Sequence, residues 1–149
     1  MAPKFSLQNV LDLRHGKVEL LEIELGKLTT IHRETQTLHA SLQQYQASLL
    51  NQLNDAQTGE LDMVKLNLLR LNILQLNRHI ELVVLELKKQ TMEIDAKRAE
   101  LVKAKQSEET LEILKRKRNE VYMAEQVQLE AQAQDDIYIA RAFRNQRGA

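Results

Sequence analysis

The sequence predicts an all-α protein, a long antiparallel two-helix coiled-coil hairpin whose second helix is longer than its first. Three observations lead there. Apolar residues recur at steps of three and four along most of the chain, the spacing that keeps one stripe of a helix facing a partner helix. Leu, Glu, Lys, Arg, Gln and Ala dominate, and their side chains lose little rotamer freedom in a helix. Aromatics are 3%, with four glycines, one proline, and neither cysteine nor tryptophan, too little to build a layered globular core from 149 residues. A single coiled-coil domain over residues 1–149 is therefore expected.

Helix 1 is predicted to begin at about residue 6, with Ser6 capping the free N–H groups of the first turn, and to end at about residue 56. Its seam reads Leu7, Leu11, Val18, Leu21, Leu25, Leu28, Ile31, Leu38, Leu42, Tyr45, Leu49 and Leu53. Gly16 and Gly26 lie within it and soften the helix without ending it. The turn is placed at about 57–59, inside Asn54-Asp55-Ala56-Gln57-Thr58-Gly59, where Gly59 can take positive φ and Asp or Thr can cap the second helix. Helix 2 then runs from about residue 60 to about residue 144, with a seam of Leu66, Leu69, Ile73, Leu76, Ile80, Val83, Leu87, Ile94 and Leu101, and less regularly Leu111 and Leu114. Counted outward from the turn, everything beyond Leu114 should project as an unpaired helical tail. Such a tail frays or is ordered by a partner, because it has no packing to offset its ordering entropy.

Composition also bounds function. Twenty-one basic and 21 acidic side chains cancel, so no net field attracts nucleic acid or an anionic membrane. The run Lys115-Arg116-Lys117-Arg118 is diluted by Glu112, Glu120 and Glu125 and has no aromatic interleaving for base stacking. The opening residues carry no apolar stretch of signal-peptide length, and no later stretch has the length of a membrane span. A cytoplasmic protein without stable membrane insertion is expected. His15, His32, His39 and His79 form no i, i+4 ligand pair, and carboxylates on an open helical surface have no cleft to shift their pKa. No phosphate loop or activated nucleophile is present. No catalytic residue, cofactor site or metal site is assigned, and the chain is read as non-enzymatic.

Between Leu61 and Leu87 there are more apolar residues than one seam needs: Leu68, Leu71, Leu74, Leu82 and Leu85 lie off the stripe. They form either a protein-docking face near the hairpin turn or the site of further helices brought by self-association. Val10, Leu13, Leu20 and Ile23 form a similar surplus near the start of helix 1.

The two ends together resemble the FliJ family, the stalk proteins of the flagellar export ATPase. Phe5-Ser6-Leu7-Gln8-Asn9-Val10-Leu11-Asp12-Leu13-Arg14 resembles the family's opening pattern. Leu111-Glu112-Ile113-Leu114-Lys115-Arg116-Lys117-Arg118-Asn119-Glu120-Val121-Tyr122, followed by Asp135-Asp136-Ile137, resembles its second pattern of leucines, basic cluster, tyrosine and acidic pair. The chain departs from that pattern in its leucine-rich middle and in Ile137-Tyr138-Ile139. The resemblance implies a coiled coil similar to the γ subunit of rotary ATPases, which binds a hexameric ATPase ring and links it to the export gate of a flagellar or type III secretion apparatus. It also implies export chaperones as further partners. On this likeness Leu114, Arg118 and Tyr122 face the ATPase, and Leu42, Tyr45 and Leu76 face the export gate. The alternative is a self-associating coiled-coil scaffold or filament protein without an ATPase partner.

Overall fold

The computed structural model describes residues 4–60 and 62–147. It is an all-helical, two-helix antiparallel hairpin. Helix α1 spans Gln8–Thr58 (51 residues) and helix α2 spans Met63–Arg147 (85 residues). No strand occurs among the described residues. Both expected helices are present and unequal as expected, although their ends differ from those read in the sequence. Pro3 and Leu61 lie outside the described residues.

The end differences have local causes. Ser6 does not cap α1: its Oγ accepts from Arg118 Nη1 at 3.0 Å, and the helix starts two residues later, after a turn closed by Gln8 N–H to the Phe5 carbonyl at 3.0 Å. At the other end α1 continues to Thr58, whose hydroxyl donates to the Asp55 carbonyl at 2.9 Å. The residue that starts α2 is Asp62. Its Oδ1 accepts from the N–H groups of Val64 at 3.1 Å and Lys65 at 3.3 Å, satisfying two donors that a helix leaves free in its first turn. Gly59 does not use its freedom to adopt positive φ; among the described residues no glycine does.

The chain divides into two compact units, Glu19–Val102 and Met1–Val18 with Lys103–Ala149. Within Glu19–Val102 the two helices run antiparallel: Glu24 meets Lys97, His32 meets Gln90 and Gln46 meets Asn77, so partner numbers fall as α1 numbers rise. The α2 side of this seam is the one expected. Leu66, Leu69, Leu76, Val83 and Ile94 are buried, with Ile73, Ile80, Leu87 and Leu101 half-buried between them. Leu49 joins Leu69 and Leu76 in a core cluster flanked by Leu42, Leu53, Ala56, Ile73 and Ile80. Each such leucine contributes about 1.5–3 kcal/mol by leaving water.

On α1 the seam departs from the expected one. Ile31, Leu38 and Tyr45 are exposed, and the half-buried residues are His32, Thr35, His39 and Gln46. The helix thus keeps a strict alternation of three and four through Leu28, His32, Thr35, His39, Leu42, Gln46 and Leu49, at the cost of placing polar groups between the helices. His32, Thr35 and Gln46 among them are hydrogen-bonded. Gln36 Nε2 donates to His32 Nε2 at 3.2 Å, which leaves the proton on Nδ1 to be donated to Gln90 Oε1 at 3.1 Å. Gln90, only 7% exposed, donates in turn to Thr35 Oγ1 at 2.9 Å, and Thr35 donates to the Ile31 carbonyl at 3.0 Å. A polar layer of this kind is satisfied in one alignment of the two helices and stranded in others.

The smaller unit repeats the pattern. Phe5, Leu11 and Val18 are buried on the α1 side, and Ala104 and Leu111 on the α2 side. Arg14 Nη1 donates to the Ser107 carbonyl at 2.9 Å, and His15 Nδ1 lies 2.6 Å from Glu108 Oε1.

Two outcomes are expected from this packing. Leu69→Asp buries an uncompensated charge in the core cluster and should abolish the cooperative thermal transition followed by circular dichroism; retention of a wild-type melt would remove Leu69 from the core. Lys97, hydrogen-bonded to Glu24 Oε2 at 2.9 Å, has its pKa raised above the ordinary 10.5 chiefly by that bond. Its stabilising contribution is therefore complete below the ordinary lysine range and lost as pH rises through the raised value. The difference in melting temperature between wild type and Lys97→Met should shrink as pH rises past 10.5, and a difference that shrinks between neutral and mildly acid pH, where lysine stays charged, would refute the pairing.

Candidate functional site

Many of the accessible side chains are apolar ones turned away from the seam. An open cavity in the smaller unit is lined by Lys4, Phe5, Ser6, Gln8, Lys115 and Asn119. No group of three His, Cys, Asp or Glu among the described residues is placed to hold a metal ion, and no described helix is long and apolar enough to cross a membrane.

Of the residues that the resemblance assigns to the ATPase side, Leu114 is 46% exposed and lies off the seam, correcting its place among the seam residues. Arg118 is exposed and bonded to Ser6, and Tyr122 is half-buried. Pairing with the N-terminal segment thus reaches past Leu114, where the tail was expected to start. Lys115 is half-buried, Arg118 makes its bond, and Gln126 is the last residue with partial burial. From residue 127 to residue 147 every described side chain is exposed, yet the backbone is helical throughout. That stretch carries Val127, Leu129, Ile137, Tyr138, Ile139 and Phe143 in the open, with the Arg147 guanidinium 5.0 Å above the Phe143 ring.

The other assigned trio does not form one outward face. Leu76 is 7% exposed and belongs to the core cluster, and Leu42 packs against that cluster. Both lie at seam positions, so their side chains point at the opposite helix and not at a partner. Tyr45 is 52% exposed and stands one position before the seam residue Gln46, beside Asn72, Gln75 and His79. The surplus leucines do turn outward: Leu68, Leu71, Leu74, Leu82 and Leu85 are all exposed. So are Val10, Leu13, Leu20 and Ile23.

The four histidines divide. His32 and His39 are seam residues, His15 is paired across the smaller unit with Glu108, and His79 is exposed. Sequence reasoning missed the polar seam itself. The signal available was unbroken alternation: His32, Thr35, His39 and Gln46 carry the alternating steps of three and four from Leu25 and Leu28 on to Leu49 and Leu53, whereas Ile31 forces two successive threes after Leu25 and Tyr45 two successive fours up to Leu53.

This geometry defines a class, a helical hairpin that carries apolar and basic side chains on its outward faces. The family model described as Flagellar FliJ protein matches residues 3–147, and the chain belongs to the FliJ family. That places it among coiled-coil proteins related to flagellar export, a family of non-catalytic proteins. No curated protein and no solved structure matches the chain.

The burial difference yields a paired expectation. Leu76→Ala should lower stability by about 2–5 kcal/mol in denaturant titrations, as core leucine truncations do, while Tyr45→Ala should stay within about 0.5 kcal/mol of wild type. Equal losses would return Tyr45 to the seam.

Proposed function

We propose that this protein is a non-enzymatic coiled-coil stalk or adaptor that binds a hexameric export-type ATPase and links it to a protein-export apparatus, the ATPase supplying all hydrolysis. Membership of the FliJ family over residues 3–147 is the observation that carries this reading. The exposed surface of α2 supports it. Leu114 and Arg118 offer one apolar and one cationic contact, and the helix beyond Gln126 is an apolar-studded segment with no interhelical burial of its own. A helix left in this condition gains packing when a partner covers it. On the gate side Tyr45 is the assigned residue available for contact, and Leu42 and Leu76 act by holding the helix that presents it. Export chaperones are further partners in this reading. A flagellar or type III secretion machine in the cytoplasm is the setting.

The competing reading, a scaffold or filament without an ATPase partner, draws on the exposed leucines of α2. Mild affinity purification of the tagged protein from its own cells, with co-purifying proteins identified by mass spectrometry, separates the two. Recovery of a hexameric ATPase with membrane export components is expected. Recovery of the protein alone, or of cytoskeletal proteins, would overturn the proposal.

Leu114→Ala, Arg118→Ala and Tyr122→Ala combined should weaken binding to the purified ATPase by at least about tenfold, as loss of a small cluster of anchoring side chains does. Unchanged binding would move the ATPase contact elsewhere on the chain.

A further inference from the structure

Helix α2 carries a second apolar stripe on the side opposite its seam. The seam runs through Leu66, Leu69, Ile73, Leu76, Ile80 and Val83. Two residues further along from each stand Leu68, Leu71, Gln75, Arg78, Leu82 and Leu85. A shift of two residues turns the side chain about 200° around a helix axis, so the second set occupies the back of α2. The structure agrees: all six are exposed, the leucines between 50% and 60%, and all belong to the one unit Glu19–Val102. The stripe keeps the same three-and-four spacing as the seam, which is what a further helix needs to pack against it.

The order of residues in the stripe identifies that helix. Read from either end it is two leucines, a polar pair, two leucines. An interface between two identical copies related by a two-fold axis must be self-complementary, each residue type meeting what its counterpart offers. Laid antiparallel about the midpoint between Leu76 and Asn77, this stripe satisfies the requirement. Leu68 meets Leu85 of the second copy, Leu71 meets Leu82, and Gln75 meets Arg78 as acceptor to donor. The positions bordering the stripe agree as well, since Lys65 falls opposite Glu86 of the second copy and no like charges face each other there. A parallel pairing would instead stack Arg78 on Arg78.

We infer that this face of α2 binds a second copy of the chain, forming an antiparallel dimer through Leu68, Leu71, Leu82 and Leu85 with Gln75 and Arg78 at its centre. The stripe is a patch of several hundred Å² on each copy. Doubled in a symmetric pair, it reaches about 1,000 Å², the low end of specific interfaces, which fits a reversible dimer. Closed two-fold pairing consumes the stripe on both copies, so association stops at the dimer and does not grow into a filament. The interface uses none of Leu114, Arg118 and Tyr122, so its test is independent of ATPase binding.

Sedimentation velocity of the full chain over a roughly hundredfold concentration range should show a monomer–dimer equilibrium. Leu71→Glu with Leu82→Glu should weaken it by at least about tenfold while leaving helicity and the thermal melt at low concentration unchanged, because both positions are exposed. The chain has no cysteine, so single cysteines report alignment directly. A mixture of Leu71→Cys and Leu82→Cys proteins should form the mixed disulfide dimer on mild oxidation, while Leu71→Cys alone should not cross-link. A monomer at every concentration would overturn the inference, as would growth into large polymers or efficient cross-linking of Leu71→Cys to itself.

Discussion

The structure of Glu19–Val102 depends on the seam between α1 and α2, and on its being held to one alignment. Leucines alone would not hold it. Because the side chains of a long heptad stripe resemble one another, sliding one helix along the other by a heptad exchanges leucine for leucine at small cost. The layer of His32, Thr35 and Gln90 changes that balance. In the observed alignment Gln90 both accepts from His32 and donates to Thr35. A heptad slip would set it against residues without that complementarity and strand buried donors and acceptors, each costing roughly 1–3 kcal/mol. Gln46 Nε2 donating to Asn77 Oδ1 at 2.6 Å adds a second such marker nearer the turn.

That same layer explains why the sequence was legible on one helix and misleading on the other. On α2 the seam is written almost wholly in Leu, Ile and Val, so tracing apolar residues traced the seam from Leu66 to Leu101. On α1 the middle of the seam is polar, and an apolar residue stands immediately before three of its members. Ile31 precedes His32, Leu38 precedes His39 and Tyr45 precedes Gln46. Following hydrophobicity alone moves the trace one position off the seam at these three places, and it returns at Leu42 and again at Leu49. Periodicity was the better guide than polarity, because a 3.5-residue repeat is imposed by geometry and a polar layer is a permitted exception. The helix ends show a related limit. The turn cluster at 54–59 marks where the chain reverses, but α1 runs through most of it and Asp62, beyond it, supplies the cap.

The candidate site was legible in a different sense. The end patterns resembled a family whose model matches residues 3–147, so identity at family level was readable from residues at the two ends. Individual side chains were not equally readable, since a likeness of pattern does not say which way a side chain points. Leu76 and Tyr45 sit in the same stretch of the hairpin and were assigned together, yet one belongs to the core and the other to solvent. What separates them is their place in the heptad.

The outward leucines of α2 stem from this division of labour. A helix with one seam tolerates polar residues over the rest of its surface and gains solubility from them. Between Leu68 and Leu85 this helix instead repeats the seam's spacing on its back, with the chain's own α1 already engaged on the front. Stability of the hairpin does not require those leucines, because truncating an exposed side chain costs little. Their cost appears elsewhere, as apolar surface in contact with water. A second helix laid along that surface relieves it, and the two-fold arrangement of the stripe makes another copy of α2 the helix that fits.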